Sequence, residues 1–359
     1  MKIYKHYNDK FQNVLYNGDC QKFFRELPDE SVDLIITSPP YCMGKAYENP
    51  TDDIETFKKQ HIKIFQDIYR ILKPGGSICW QVGYHVSESC VIPLDFIVYD
   101  LFTTLSQDKT FPLILRNRII WTFGHGLNSV KRFSGRHETI LWFTKGKQKT
   151  FNLDSVRIPQ KYPGKKSYRG PHKGEFSGNP LGKNPSDVWD IPNVKANHIE
   201  KTNHPCQYPV ALPQRLIRAL SEEQAVVLDP FMGSGTTGAA AVIENRRFLG
   251  AEINKEYYKI AIDRISKAME GTLKIREDKP VIKPNLNSAV AKLPKEFKAA
   301  REVECPIQEK ESQCQKSKSK SRQKKEPIGF LRTKSRNYLF QQDFNRLNLK
   351  IIILILAYA

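Results

Sequence analysis

Over the first 145 residues, short apolar runs alternate with amphipathic stretches. Residues 13–19 read NVLYNGD, a strand ending at Gly18-Asp19. A helix is predicted over Gln21–Leu27. Val32–Thr37 is nearly continuous in apolar residues, as strands buried on both faces of a parallel sheet are. Ile54–Leu72 is apolar at helical spacing and stops at Lys73-Pro74-Gly75-Gly76. Ser77–Val82 predicts the next strand and Pro93–Leu105 a helix. Leu115–Phe123 and Thr139–Thr144 predict two more strands.

Periodicity fades between about 146 and 205, where Gly, Pro, Lys, Asn and His dominate. Phe151, Tyr162, Tyr168, Phe176, Val188 and Trp189 argue that this stretch is ordered but irregular. A loop of that length inside a compact fold is usually functional. Regular patterning returns with a helix over Pro209–Leu220 and a strand over Ala225–Leu228. A helix over Thr237–Glu244, a strand over Arg247–Glu252 and a helix over Lys255–Glu270 follow. After Gly271 the pattern is lost, and KSKSKSRQKK at 316–325 has the composition of a disordered segment. There is no internal repeat.

Two strand ends carry unusual loops. The first run ends in TSPPY, residues 37–41. The second, VVLDPFMGSGTT at 226–237, ends in a glycine-rich turn that opens a helix, a place suited to a nucleotide-like cofactor. The turn is neither GxGxxG nor a Walker loop, because Gly238 breaks the first spacing and no Lys follows Gly235. That argues against a dinucleotide or a triphosphate. About twenty residues on, FLGAEI places Glu252 at a strand tip, where a carboxylate can accept from both hydroxyls of a ribose. Two ordinary strand ends are the bland alternative.

TSPPY suits chemistry on an aromatic amine. Such a nitrogen is a poor nucleophile, because its lone pair is delocalised into the ring. Acceptors that bind its hydrogens more strongly in the transition state localise that pair. Ser38 offers a hydroxyl and Pro39 a carbonyl. Pro39 and Pro40 stiffen the loop, and Tyr41 offers a ring face for an extruded base. A plain Pro-rich turn is the alternative. Together the two loops suggest transfer of a one-carbon group onto an amine.

These motifs resemble those of the β-class DNA amino-methyltransferases, the cytosine-N4 and adenine-N6 enzymes of the TSPPY type. The resemblance covers roughly residues 13–271. It runs through YNGDC, SVDLIITSPPY, ILKPGG, RHETILWFTK, PSDVWDIP, NHPCQYPVALPQRLI, VLDPFMGSGTTGAAA and RRFLGAEINKEYYKIAIDRI, in that order. It implies an α/β fold of the Rossmann-like, S-adenosylmethionine-dependent methyltransferase type. The sheet would be mostly parallel and seven-stranded, circularly permuted so that the catalytic loop precedes the cofactor loop. Residues 1–145 would form the catalytic half and 146–205 a target-recognition insert. Residues 206–271 would form the cofactor half and 272–359 a basic tail. By position, Asp229, Phe231, Gly233, Gly235 and Thr236 would line the methionine and ribose end of S-adenosyl-L-methionine. Glu252 would hold the ribose and Asp19 the adenine amine. Ser38, Pro39, Pro40 and Tyr41 would be catalytic, and His204-Pro205 would begin the segment that closes over the cofactor.

Charge fits that reading. The 359 residues carry 57 Lys and Arg against 38 Asp and Glu, a net +19 that favours a polyanionic partner. Roughly 20 of the bases, against about 9 acids, fall in 271–359, yet the body stays positive. Arg132, Arg136, Lys161, Lys165, Lys166 and Arg169 are the foremost candidate phosphate contacts, with His137, Lys145, Lys147, Lys149 and Lys173 beside them. Double-stranded DNA is the implied partner, with a cognate restriction endonuclease acting separately. The seven cysteines form no CxxC, so no structural metal is expected. Reduced thiols and the lack of an apolar leader suggest a cytoplasmic protein. The apolar run 351–359 is too short to span a bilayer.

Three alternatives remain. Pro205-Cys206-Gln207 mimics the nucleophile motif of cytosine C5 enzymes, but it lies upstream of the cofactor loop and an amine target needs no thiolate. A non-catalytic DNA-binding module is opposed by two intact loops. RNA or a small molecule as substrate is opposed by the long basic insert. Within the resembling family, Ser at the first loop position is usual for cytosine N4 and Asp or Asn for adenine N6, so TSPPY favours cytosine.

Overall fold

The structure is a computed structural model that describes residues 2–41, 53–87, 90–106, 110–124, 126, 128–159, 166–195 and 197–276. Strands β1 (Ile3–Tyr4) and β2 (Asn13–Asn17) precede helix α1 (Cys20–Phe24) and strand β3 (Val32–Thr37). Helix α2 (Ile54–Ile71) runs into β4 (Leu72–Val82). The antiparallel pair β5 (Tyr84–Ser87) and β6 (Cys90–Pro93) leads to α3 (Leu94–Leu105), then β7 (Leu113–Thr122) and β8 (His137–Lys145). A 3-10 turn at Leu153–Val156 and β9 (Val188–Asp190) lie in the irregular region. The remainder alternates: α4 (Ala211–Leu220), β10 (Val226–Asp229), α5 (Thr236–Ile243), β11 (Arg247–Glu252) and α6 (Lys255–Met269).

Nine strands form one sheet in the order β1-β2-β11-β10-β3-β4-β8-β7-β9. Only β8 runs antiparallel to its neighbours. The seven longer strands make the mostly parallel sheet expected from the sequence. The two-residue β1 and the three-residue β9 extend its edges.

Side chains of one strand alternate between the two faces, which explains the continuous apolar runs. On β3, Leu34 and Ile36 enter one core and Ile35 the other; on β10, Val227 enters the first and Val226 and Leu228 the second. Helices α4, α5 and α6 cover the first face, and α1, α2 and α3 the second.

Several boundaries move. Helix α1 ends at Phe24, three residues short of the expected end. KPGG does end α2, but it belongs to β4. Val32 pairs with Leu72 and Leu34 with Ser77, so the tetrapeptide bulges out of the ladder. Gly75 there has φ +77, and a Cβ on it would stand 2.9 Å from the Lys149 Cβ. The irregular region is tied down at both ends, since Asn152 N donates to Ala219 O at 2.7 Å and β9 pairs parallel with β7. The folded unit also continues past Gly271. Leu273 and Ile275 pack on the first core, and Arg276 N donates to Glu200 Oε1 at 3.0 Å. Lys161, Lys165 and residues 277–359, hence most of the expected tail, lie outside the described residues. No described helix is long and apolar enough to cross a membrane.

Helix α2 buries Phe57, His61, Ile64, Phe65, Ile68 and Ile71 along one stripe, with Asp53 as N-cap accepting from Thr56 N at 2.8 Å. His61 is the polar member of that stripe. Trp80 Nε1 donates to His61 Nε2 at 3.0 Å, so Nε2 is the acceptor and Nδ1 donates to Phe57 O at 2.8 Å. Burial pushes the His61 pKa down to about 4. The unfolded chain therefore binds this proton first, below about pH 6.5, while the fold resists it until about pH 4. Stability from this group is complete above pH 6.5 and is lost as pH falls through that window, by up to about 3 kcal/mol. Replacing His61 with Gln should lower stability at pH 7 and flatten the decline between pH 6.5 and 4. Denaturant unfolding at several pH values checks this. Parallel wild-type and variant curves would refute it.

Candidate active site

Strands β3 and β10 are neighbours, and the sheet grows away from them in opposite directions, to β4 on one side and β11 on the other. A crevice opens at the carboxyl ends of strands at such a switch point. Here a cleft of about 690 Å³ lies there. Asp19, Ser38, Pro39, Pro40, Tyr41, Phe231, Gly233, Thr236 and Glu252 line it. Asp229 and Gly235 do not.

Asp229 sits beneath the cleft, fully buried. Its Oδ1 accepts from Thr37 Oγ1 at 2.7 Å and Phe231 N at 3.1 Å. Its Oδ2 accepts from Thr237 Oγ1 at 2.8 Å and Tyr208 OH at 3.2 Å. Burial raises its pKa to about 6, and those four bonds oppose the rise. One carboxylate thus joins β3, the glycine turn, α5 and the segment before α4.

The glycines of the turn answer to protein neighbours. Gly235 caps α5 at φ +73, and a Cβ there would lie 2.9 Å from the Ala261 Cα on α6. Gly233 has φ +50, and its Cβ would meet His204 Nε2 at 2.9 Å. His204 is therefore packed over the turn, edge-on to Tyr257 at 4.5 Å between centroids. Burial, then Lys201 and Arg264, push its pKa down to about 4, so it is neutral at pH 7.

Across the turn, Glu252 Oε2 accepts from Gly233 N at 2.9 Å and Oε1 from Asn254 N at 2.8 Å. Each oxygen keeps a lone pair for an incoming hydroxyl. Burial raises the Glu252 pKa. Asp19 caps α1, accepting from Gln21 N at 2.8 Å, at the same wall of the cleft.

In the catalytic-loop candidate, Tyr41 OH donates to Gln81 O at 3.3 Å and lies 2.9 Å from Ser38 Oγ. Either hydroxyl can be the donor of that bond, and when Tyr41 gives its proton to the Gln81 carbonyl, Ser38 donates to Tyr41. The Ser38 oxygen then presents lone pairs to the cleft. Gln81 and Glu138, which also line the cleft, are hydrogen-bonded to each other through Gln81 Nε2. Cys206 is exposed on the cleft wall, two residues after His204.

Sequence reasoning missed Arg264, Tyr208, Thr237 and the Gln81–Glu138 pair. Only the helical spacing of α6, which puts Ala261, Arg264 and Ile265 on its buried face, hinted at the first. Among the basic candidates, Arg132 and Arg136 sit on the loop between β7 and β8. Arg136 lines a shallow depression that shares Phe123 with the main cleft. Lys166 and Arg169 are exposed on the irregular region. Lys145 is a correction: it is buried, with Nζ donating to Tyr69 O at 3.0 Å and Leu72 O at 2.9 Å, so it holds the fold and faces no phosphate.

Known proteins are similar to this chain in sequence and in fold. The sequence model of the DNA methylase family (N6_N4_Mtase) matches residues 32–263. The type II methyltransferase M.BglII of Bacillus subtilis is 49% identical over 255 residues, 71% of this chain and 69% of that one. The DNA adenine methyltransferase YhdJ of Escherichia coli K12 is 33% identical over 262 residues, covering 71% and 83%. Among solved structures, the cytosine-N4-specific PvuII DNA methyltransferase superposes with TM-score 0.55 at 21% identity over 72% of this chain and 92% of its own, a likeness of fold. TTHA0409 of Thermus thermophilus, solved with S-adenosyl-L-methionine, gives 0.50 at 26% identity over 72% and 96%. With a family match across most of the folded unit and both loops on one cleft, the chain belongs to the N6/N4 DNA methylases.

Proposed function

We propose that this protein methylates the exocyclic N4 amine of a cytosine flipped out of double-stranded DNA, as the modification partner of a restriction system. The observation that carries the reading is the Ser38 hydroxyl, hydrogen-bonded to Tyr41 and facing the same cleft as the glycine turn. The residues fit S-adenosylmethionine: Glu252 keeps lone pairs for ribose hydroxyls, Asp19 is an acceptor at the same wall, and neutral His204 adds no charge against a sulfonium. The complex of TTHA0409 supports that choice. When bound, the cofactor supplies an electrophilic methyl group.

The chain's own part is to position and polarise. Ser38 Oγ and the Pro39 carbonyl accept the amine hydrogens, drawing the lone pair out of conjugation. Tyr41 and the walls of the cleft receive the base once it leaves the stack. The nitrogen would attack the methyl group directly as its bond to sulfur breaks, leaving a neutral thioether, and the extra proton on nitrogen would pass to solvent, so no protein nucleophile is required. Serine at position 38 favours cytosine. The likeness to an adenine methyltransferase supports adenine N6 as a second reading. Modification-sensitive sequencing of DNA from cells expressing the chain decides between them: 4-methylcytosine is expected, and N6-methyladenine would establish the alternative.

The DNA would cross the cleft mouth, meeting the β7–β8 loop and the exposed part of 166–188, which we assign as the target-recognition surface.

Replacing Ser38 with Ala should slow single-turnover methylation on the order of 10²-fold, as loss of one aimed hydrogen bond does elsewhere. Tyr41→Ala should also be slow, whereas Cys206→Ala should stay near wild-type. An inactive Cys206→Ala enzyme, with the wild-type thiol trapped on 5-fluorocytosine DNA, would move the chemistry to the ring carbon. Separately, replacing Arg132 and Arg136 together with Ala should reduce the slope of log affinity against log salt by about 2. An unchanged slope in a titration from low to moderate salt would remove both residues from the DNA path.

A further inference from the structure

Arg264 is a buried cation whose charge is supported chiefly by the Glu200 carboxylate, without a direct contact between them. It is 4% exposed on α6 and makes no ion pair among the described residues. Its Nη1 donates to Ser234 O at 2.8 Å, Ser234 Oγ at 3.1 Å and Thr236 Oγ1 at 2.8 Å. Its Nη2 is buried with no acceptor. The buried carboxylate of Glu200 shares this interior, but its oxygens accept from Val210 N at 2.9 Å and Arg276 N at 3.0 Å. Asp263, next along the helix, is paired with Lys267 at 2.7 Å on the surface.

Burying a guanidinium with one nitrogen unsatisfied and no direct ion-pair contact is costly, so a further anion that approaches it is favoured. Ser234 and Thr236 stand between this cation and the cleft, and both line the cleft. Each spends a lone pair on Arg264. Their hydroxyls are 3.4 Å apart, so at most one donates to the other, and at least one hydrogen is left for a ligand. The charge reaches the cleft, since Arg264 is among the groups that hold His204 neutral. Glu252 stands across the turn, on the Gly233 side. The cleft therefore has an acceptor end and a donor end.

We propose that Arg264 is a positioning residue that selects the carboxylate of an amino-acid-bearing cofactor, by leaving at least one hydroxyl hydrogen of the Ser234–Thr236 pair as a donor to the cleft backed by a buried positive charge. This rests on the cofactor reading above. It assigns the α-carboxylate end to Ser234 and Thr236, and the sugar end to Glu252.

The test compares two ligands on the full chain by calorimetry. S-adenosylhomocysteine carries the amino-acid end, and 5′-methylthioadenosine lacks it. Arg264→Met should weaken S-adenosylhomocysteine at least tenfold while changing 5′-methylthioadenosine less than twofold. Arg264→Lys, which keeps the charge, should regain most of that discrimination. Equal losses for both ligands, or no loss, would overturn the proposal, because a merely structural arginine would not distinguish them. Should Arg264→Met fail to fold, Ser234→Ala combined with Thr236→Val provides the same comparison with Arg264 in place, and unselective loss there also overturns it. A wild-type protein that binds neither ligand would bring down the cofactor reading itself, and this inference with it.

Discussion

The hydrogen bond from Thr37 to Asp229 joins the two halves of the site. It ties the end of β3 to the end of β10 at the switch point of the sheet. Ser38 follows Thr37 directly, and the glycine turn follows Asp229. The spacing between Ser38 and the glycine turn is therefore held by the pairing of β3 with β10 and by this buried contact. The other oxygen of Asp229 collects Thr237 from α5 and Tyr208 from the segment before α4. A buried carboxylate is costly to hold in isolation, and four donors offset that cost. Removing any one donor leaves the group under-satisfied, so the network behaves as a unit.

Much of the frame was legible from the chain. The nearly continuous apolar runs at 32–37 and 225–228 read as strands covered on both faces, and the glycine turn after Asp229 as the opening of a helix. Individual loops of the site were legible too, because proline, glycine and a strand-tip carboxylate announce themselves. What lay hidden is what depends on long-range approach. The sequence marks Gly235 as permissive, but not that α6 fills the space beside it. It marks Lys145 as a cation, but not that two carbonyls draw it inward. KPGG reads as a stop, and only strand pairing makes it a bulge. The short β9 has no period of its own and exists because β7 offers it an edge.

Charged groups of both signs surround the cleft. Carboxylates lie along the wall formed by β2 and β11, with Asp19 and Glu252 at its rim. The opposite backing is cationic, through Arg264 under the turn. Between them His204 is kept neutral by its surroundings.

The irregular region is fastened at both flanks, to α4 through Asn152 and to β7 through β9. Between those anchors, nearly every position from 166 to 188 faces solvent. Closing a longer loop between fixed points costs only about 0.6 kcal/mol for each doubling of length. Insertions and deletions there leave the sheet and its cleft unstrained. The chain thus carries a solvent-facing segment whose length and surface can change without straining the sheet that holds the cleft.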